Sequence, residues 1–145
     1  MRGRSLHNLT ADKTGMTLSR FFREVNPEHK YSRNGVTTYF DWFAIQNQFV
    51  LACEIETTAR HGADNAVKAA AVGVPLWIIV PTGKVKKRLS HKLKPLKLRP
   101  GGEPIKILLL GQLQKELEEY LSLKPLANMQ TGNSTLSGPK GGSQS

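Results

Sequence analysis

Two glutamates stand two residues apart in the string Cys53-Glu54-Ile55-Glu56, at the end of an apolar run. Side chains alternate between the two faces of a strand, so Glu54 and Glu56 would point to the same face. Carboxylates so close repel each other, and a buried, unpaired carboxylate is costly. We therefore expect a divalent cation, a basic neighbour or solvent to compensate these charges.

Asp41 lies on the preceding predicted strand and could join the two glutamates. The β-branched and aromatic residues 36–43 predict a strand, and residues 48–56 predict the next one after a turn. Carboxylates on adjacent antiparallel strands can converge on one face. Their oxygens suit Mg²⁺ or Mn²⁺, which lower the pKa of a bound water and neutralise charge on a phosphate. The pattern indicates metal-assisted hydrolysis, with a solvated group of acids as the alternative.

The segments before these strands predict a helix and a hairpin. Residues 17–25 carry Leu18, Phe21, Phe22 and Val25 at helical spacing, and Asn26-Pro27 ends the pattern. Asn34-Gly35 predicts a tight turn into the strand that carries Asp41.

The segments after Glu56 predict a crossover and a C-terminal strand and helix. The alanine-rich stretch 63–72 predicts a helix, and 76–80 predicts a buried strand. A strand–helix–strand connection is a right-handed crossover, so 76–80 should run parallel to 48–56. Residues 105–110 could form an edge strand, and 112–123 predict a closing amphipathic helix.

Composition predicts three regions along the chain. Residues 1–15 are predicted to be a flexible basic arm, 16–124 a single domain, and 125–145 a disordered tail with too little apolar content to pack. The single cysteine excludes an internal disulfide. The chain lacks an apolar run of the ~18–20 residues that span a bilayer, and its N-terminus lacks a secretory pattern. We expect a cytoplasmic or other intracellular location, the nucleoid and nucleus included.

This order of elements, with Asp41 on the second strand and Glu54 on the third, resembles the PD-(D/E)XK nuclease superfamily. The resemblance covers residues 17–82 and implies an α/β, restriction-endonuclease-like core. That core consists of a helix, a three-stranded antiparallel meander, a helix and a parallel strand, here followed by a C-terminal strand–helix appendage. It also implies a Mg²⁺- or Mn²⁺-dependent DNA endonuclease, a hydrolase that acts as a homodimer in many small members.

The resemblance also implies roles for individual residues. Asp41, Glu54 and the carbonyl of Ile55 would bind the metal. Glu56 stands where the family usually has Lys, as in some active restriction endonucleases, and would assist the attacking water or bind a second ion. The remaining candidates are Lys68 as a displaced catalytic cation, Arg60 and His61 as phosphate contacts, and Glu24 on the first helix as an extra acid.

A basic run at residues 84–99 is the second functional signal. The chain has a net charge of +10, and this run holds eight Lys and Arg residues with no acid. Such a surplus favours a polyanionic partner, with nucleic acid first. Interleaved leucines can anchor the segment while its cations contact phosphates without sequence preference. The candidates for DNA contact in this run are Lys84, Lys86, Lys87, Arg88, Lys92 and Lys94.

These signals together predict a metal-dependent endonuclease that needs no organic cofactor and does not act in a membrane. A non-catalytic nucleic-acid-binding protein is the main alternative, because the motif lysine is missing and the basic surface alone would suffice. A third interpretation is an adaptor that recruits another protein through its tails.

Overall fold

The computed structural model describes residues 2–122, which form an α/β fold with a five-stranded mixed sheet. The strands lie in the order β1-β2-β3-β4-β5. The elements in chain order are α1 (Arg2–Ser19), β1 (Glu24–Arg33), β2 (Val36–Gln46), β3 (Phe49–Ile55), α2 (Gly62–Val72), β4 (Leu76–Val80), α3 (Gly83–Leu93), β5 (Lys106–Leu109) and α4 (113–122), with short 3-10 helices at Lys94–Leu96, Pro100–Gly102 and Leu110–Gln112.

The sheet confirms the predicted meander and crossover. β1, β2 and β3 pair antiparallel, whereas β4 runs parallel to β3 and β5 runs parallel to β4. Asn34 and Gly35 both have positive φ, 56° and 76°, as a two-residue type I′ hairpin turn requires. Gly73 ends α2 in the left-handed conformation, at φ 71°. The predicted edge strand is β5, at the end of the sheet.

The two faces of the sheet bury different side chains. Ala52, Leu76, Ile78 and Val80 belong to one apolar cluster with the buried side of α2 and with Leu89 of α3. The alternating residues of β3 and β4 are also buried but lie outside that cluster: Leu51, Cys53, Trp77 and Ile79. Because strand side chains alternate with period two, these residues face the opposite side of the sheet. Both middle strands are therefore covered on both faces.

The N-terminal predictions were wrong in two respects. Residues 2–15 are not a loose arm but most of helix α1, and the predicted helix 17–25 contributes only its first turn to α1. A turn follows, in which the Phe22 N–H donates to the Leu18 carbonyl at 2.9 Å. Glu24 therefore starts β1 rather than lying on a helix, and its exposed carboxylate accepts a hydrogen bond from Asn26.

Sequence analysis also missed that the basic run contains a helix. Thr82 caps α3, and its hydroxyl accepts a hydrogen bond from the Val85 N–H at 3.3 Å. Leu89 and Leu93 are the buried residues of this helix. Leucines and lysines are so closely interleaved here that the pattern indicates attachment of the segment to the core but does not distinguish a helix from a loop.

The chain divides into two compact units, one that ends at Leu113 and one that begins at Gln114. The single domain over 16–124 stays a prediction. Leu117 and Tyr120 of α4 are buried. The predicted tail at 125–145 lies outside the described residues. Within residues 2–122 no helix is long and apolar enough to cross a membrane.

Gly15 allows α1 to approach the sheet, and its replacement should destabilise the protein. A Cβ at Gly15 would overlap the indole ring of Trp42, and the Trp42 Nε1–H donates to the Ala11 carbonyl at 2.7 Å. In an open helix Gly→Ala is stabilising by ~1 kcal/mol. For Gly15→Ala we expect instead a loss of about 1–3 kcal/mol, measured by urea unfolding, because the rigid ring must move.

Gly83→Ala is the matched control for this measurement. Gly83 is the first residue of α3, and a Cβ added there would meet no heavy atom within 4 Å. We expect its substitution to leave the free energy of unfolding unchanged or slightly higher. Equal responses of the two variants would contradict the close packing of Gly15 on Trp42.

Candidate active site

Asp41 and Glu54 meet where β2 and β3 stop pairing. The last backbone pair of the two strands is Trp42 with Cys53, and the same register places Asp41 opposite Glu54 at the next position. There the Asp41 side chain continues the interaction, because its Oδ2 accepts a hydrogen bond from the Ile55 N–H at 2.7 Å. β3 meanwhile continues along β4, where Ile55 pairs with Ile79. The end of the ladder thus brings two carboxylates together.

Glu54 is held in an environment that disfavours its charge. It is only 7% exposed, and burial raises its pKa to about 9, with further contributions from the charge of Asp41, a side-chain hydrogen bond with Asp41, and the charge of Glu56. A hydrogen bond between two carboxyl groups requires a proton on one of them. Without a cation, Glu54 is therefore protonated at neutral pH.

Glu56 is the third acid of the group and is 8% exposed. Its pKa is raised, chiefly by burial and also by the charge of Asp41. Opposing effects come first from a hydrogen bond that Asn65 Nδ2 donates to Glu56 Oε2, then from the charges of His61 and His7. Glu56 therefore has polar partners that Glu54 lacks.

Asn65 and His7 are site residues that sequence analysis missed. Asn65 lies on the first turn and a half of α2, and His7 lies on α1, with its Nε2 3.6 Å from Asp41 Oδ2. The His7 contact joins two segments that are distant along the chain, and the Asn65 contact spans nine residues across the loop between β3 and α2. Neither contact follows from the periodicity of a single element. One sequence signal could have pointed to Asn65. It lies four residues after His61 at the start of α2, and residues four apart share one face of a helix.

The other predicted site residues lie at varying distances from the acids. His61 is the N-cap residue of α2, and Arg60 precedes it in the exposed loop after β3. Lys68 is exposed on α2 and is not among the groups that shift the pKa of Glu54 or Glu56. Cys53 is fully buried, and burial raises the pKa of its thiol, so it packs as an unreactive apolar side chain.

Helix α3 presents its cations close to the loop that follows Glu56. Leu89 packs against Gly62 at the start of α2, and Lys92 Nζ donates to the Ala59 carbonyl at 3.2 Å. Lys84, Lys87, Arg88, Lys92 and Lys94 are exposed, and Lys86 is partly buried and donates to Gln112. None of these cations forms an ion pair with an acid in the described part of the chain.

The acids fit a hard divalent cation that keeps most of its water. Among residues 2–122 no three His, Cys, Asp or Glu side chains are grouped closely enough to hold a metal ion by themselves. Mg²⁺, however, is usually bound by one or two carboxylates together with water and substrate phosphate. The pair formed by buried Glu54 and half-buried Asp41 matches that requirement, because a cation would offset the burial and the acidic neighbours that raise the pKa of Glu54.

Comparisons with known proteins identify no family for this chain, so the functional proposal rests on the geometry of the site. No protein-family model, curated protein or solved structure matches this chain.

The raised pKa of Glu54 predicts that the metal-free protein loses stability as the pH rises. The folded state binds more protons than the unfolded state between the ordinary pKa of 4.5 and about 9. The free energy of unfolding should therefore fall with pH across this window, and the stabilisation is fully lost above pH 9. Glu54→Gln keeps the shape without the titration, so its unfolding free energy, measured in urea with EDTA, should fall less over the same range.

Glu24→Gln is the matched control, because Glu24 is an exposed carboxylate outside this group. It should follow the wild-type pH dependence. The explanation is contradicted if Glu54→Gln and wild type show the same change in unfolding free energy between pH 5 and pH 9.

Proposed function

We propose that this protein is a metal-dependent endonuclease that hydrolyses phosphodiester bonds in DNA. The observation that carries the proposal is the contact between Asp41 and Glu54, two carboxylates on adjacent antiparallel strands beside a third acid, Glu56. Burial of mutually repelling acids lowers stability, and such groups cluster at functional sites because the chemistry requires them.

The order of elements supports a restriction-endonuclease-like core. A helix, three antiparallel strands, a helix and a strand parallel to the third follow one another along the chain, with the aspartate on the second strand and the glutamate on the third. Glu56 in place of the usual lysine is the departure from the pattern of the PD-(D/E)XK superfamily.

Asp41, Glu54 and the carbonyl of Ile55 would hold Mg²⁺ or Mn²⁺. When bound, the ion lowers the pKa of a water molecule and neutralises charge on the phosphate. The Ile55 N–H fixes Asp41 Oδ2, so the aspartate is positioned before any ligand arrives. His7, next to the same oxygen, would further limit the rotation of Asp41.

Glu56 would accept the proton of the attacking water. Asn65 donates a hydrogen bond to Glu56 Oε2, and within residues 2–122 no group donates a hydrogen bond to Glu56 Oε1. The raised pKa of Glu56 brings a carboxylate nearer to the range in which a general base works at neutral pH. Glu56 would thus help to activate the attacking water, at the position where the superfamily that the chain resembles usually has a lysine.

Cleavage of supercoiled plasmid and of a branched DNA junction with Mg²⁺ or Mn²⁺ tests the proposal. Asp41→Asn and Glu54→Gln should abolish cutting, and Glu56→Gln should slow it by about 10²–10⁴-fold, the contribution of a general base. Glu24→Gln, which removes an exposed acid, should cut like wild type. EDTA should stop the reaction in every active variant.

A metal-binding measurement separates loss of the site from loss of the fold. Mn²⁺ should raise the Tm of wild type and of Glu24→Gln, but not of Asp41→Asn or Glu54→Gln, because only a ligand that binds the folded state stabilises it. Wild type that neither cuts DNA nor gains thermal stability from either ion would overturn the nuclease proposal.

The cations of α3 favour a second candidate, a nucleic-acid-binding protein without catalysis. Lys84, Lys87 and Arg88 are exposed and have no acidic partner within residues 2–122. Such a surface neutralises phosphates whether or not the acids bind metal, and binding by this route releases counterions. The surface serves both functions, so binding alone does not distinguish them.

Neutralising these three side chains together, Lys84→Gln, Lys87→Gln and Arg88→Gln, should weaken duplex binding and make it less sensitive to salt. If each contacts one phosphate, the slope of log K against log [salt] should decrease by about 2.7, or 0.9 per phosphate. Fluorescence anisotropy in EDTA over a salt series measures this slope. As a control, Lys30→Gln with Lys115→Gln removes cations outside α3 and should leave the slope nearly unchanged. An unaltered slope in the triple variant would exclude α3 as the DNA contact.

A further inference from the structure

One aromatic side chain, Tyr39 on β2, stands apart from all the others in its exposure. The sequence contains five Phe, three Tyr and two Trp, all within residues 2–122, and among them Tyr39 alone is exposed, at 62%. Its neighbours Thr38 and Phe40 are 7% and 1% exposed. Tyr39 forms no ring contact and no hydrogen bond with residues 2–122. The faces of this ring are therefore available to a ligand.

Tyr39 lies close to the candidate active site. It precedes Asp41 by two residues on β2, so the two positions are about 7 Å apart along the strand. Phe40 belongs to the apolar cluster that includes α2, so Tyr39 projects from the opposite side of the sheet. The Asp41 side chain is itself 26% exposed, so a ligand that covers Tyr39 would extend to the aspartate.

The neighbours of Tyr39 on this face of the hairpin are polar and include a cation. Lys30 pairs with Tyr39 across the strands, and Ser32 pairs with Thr37, with their hydroxyl oxygens 2.8 Å apart. All of these side chains are exposed. Within residues 2–122 Lys30 forms no ion pair with Glu28 or with any other acid. An exposed ring beside a free cation is the combination that binds an unpaired base and its phosphate.

We propose that Tyr39 stacks on an unpaired base of the DNA substrate and that Lys30 contacts the adjoining phosphate. The preferred substrate would then carry single-stranded DNA beside the bond that is cut. This inference rests on the proposed function, because it assigns a substrate class to the site formed by Asp41 and Glu54. A base within an intact duplex is stacked between its neighbours and reaches such a ring only after unpairing, which costs free energy. A single strand, a fork or a flap offers the base without that cost.

The chemistry of this face favours an unpaired strand over a protein partner. A specific protein interface buries about 800 Å² on each side, with an apolar centre. Here Tyr39 is a single apolar group among hydroxyls and an amine, whereas stacking of a base requires only one ring. The net charge of +10 also favours a polyanion. On this proposal α3 would bind the paired part of a forked substrate, and the face around Tyr39 would bind its unpaired strand.

Fluorescence anisotropy in EDTA, with a single-stranded oligonucleotide and a blunt duplex of the same sequence, tests the inference without cleavage. Tyr39→Leu keeps an apolar side chain but has no ring, so it should weaken single-strand binding by about 5- to 150-fold, the loss of one stacked base. Tyr39→Phe keeps the ring and should bind like wild type. Both variants should keep the wild-type Tm and the wild-type affinity for duplex, because Tyr39 is exposed and does not contact paired bases.

Two further variants and a crosslink test the individual contacts. Lys30→Gln should decrease the slope of log K against log [salt] for the single strand by about 0.7, the value for one phosphate, and leave the slope for duplex unchanged. Val67→Thr is the matched control, because Val67 is an exposed apolar residue of α2, and it should bind both DNAs like wild type. Iodouracil in the single strand should crosslink on irradiation to the peptide that contains Tyr39.

Cleavage with Mg²⁺ or Mn²⁺ separates this inference from the proposed function. Wild type and Tyr39→Phe should cut a flap faster than a blunt duplex, and Tyr39→Leu should lose most of that preference. A wild type that cuts nothing, while Tyr39→Leu still loses single-strand binding, would support the stacking contact and count against the nuclease proposal.

Two outcomes would overturn the stacking proposal and leave the nuclease proposal standing. In the first, wild type cuts DNA and Tyr39→Leu binds and cuts every substrate like wild type. In the second, Tyr39→Leu lowers the Tm and weakens single-strand and duplex binding equally, which would show that Tyr39 has a structural role.

Discussion

The contact between Asp41 and Glu54 is the constraint on which the site depends. β2 separates from β3 at this point, and the Asp41 carboxylate replaces the lost backbone acceptor by binding the Ile55 N–H. The Asp41 side chain therefore ends the backbone pairing of β2 with β3 and is itself held in position. Because β3 remains paired with β4 beyond this point, the strand stays in the sheet where β2 diverges from it. Burial and the neighbouring acids make the charged form of Glu54 unfavourable in a region whose other side chains on β3 and β4 are apolar and buried.

The three acids differ in the interactions through which the fold stabilises their negative charges. Asp41 has a backbone donor, and Glu56 has the Asn65 amide and two histidines nearby. Glu54 has a backbone hydrogen bond with Asp41 that lowers its pKa, but burial and its acidic neighbours outweigh this effect. Compensation through a proton on Glu54 is available at neutral pH, and compensation through a cation would release that proton. On the proposed function, cation affinity at this site would therefore be linked to pH, with tighter binding as the pH rises.

The meander, the crossover and the Asp41–Glu54 pair could be predicted because each follows from local rules. Period-two alternation, the Asn34-Gly35 turn and the handedness of crossovers suffice for them. Helix α1 could not be predicted in the same way, because its buried face carries Thr10 and Thr14 and shows no apolar periodicity. Asn65 and His7 were missed for a related reason: their contacts depend on how helices pack on the sheet. Glu24 was misplaced because a helical spacing of aromatic residues continued through a turn.

On the proposed function, the basic helix and the acids would act on different phosphates of the same substrate. Any phosphodiester that approaches Asp41, Glu54 and Glu56 brings negative charge to a group in which two acids already have raised pKa values. The cations of α3 are not among the groups that shift the pKa of Glu54 or Glu56. They would instead bind the phosphates on either side of the one that approaches, because Lys92 and Leu89 hold α3 beside the loop that follows Glu56. On the proposed function, α3 would contribute affinity, and neutralisation at the reacting phosphate would come from a cation held by the acids themselves.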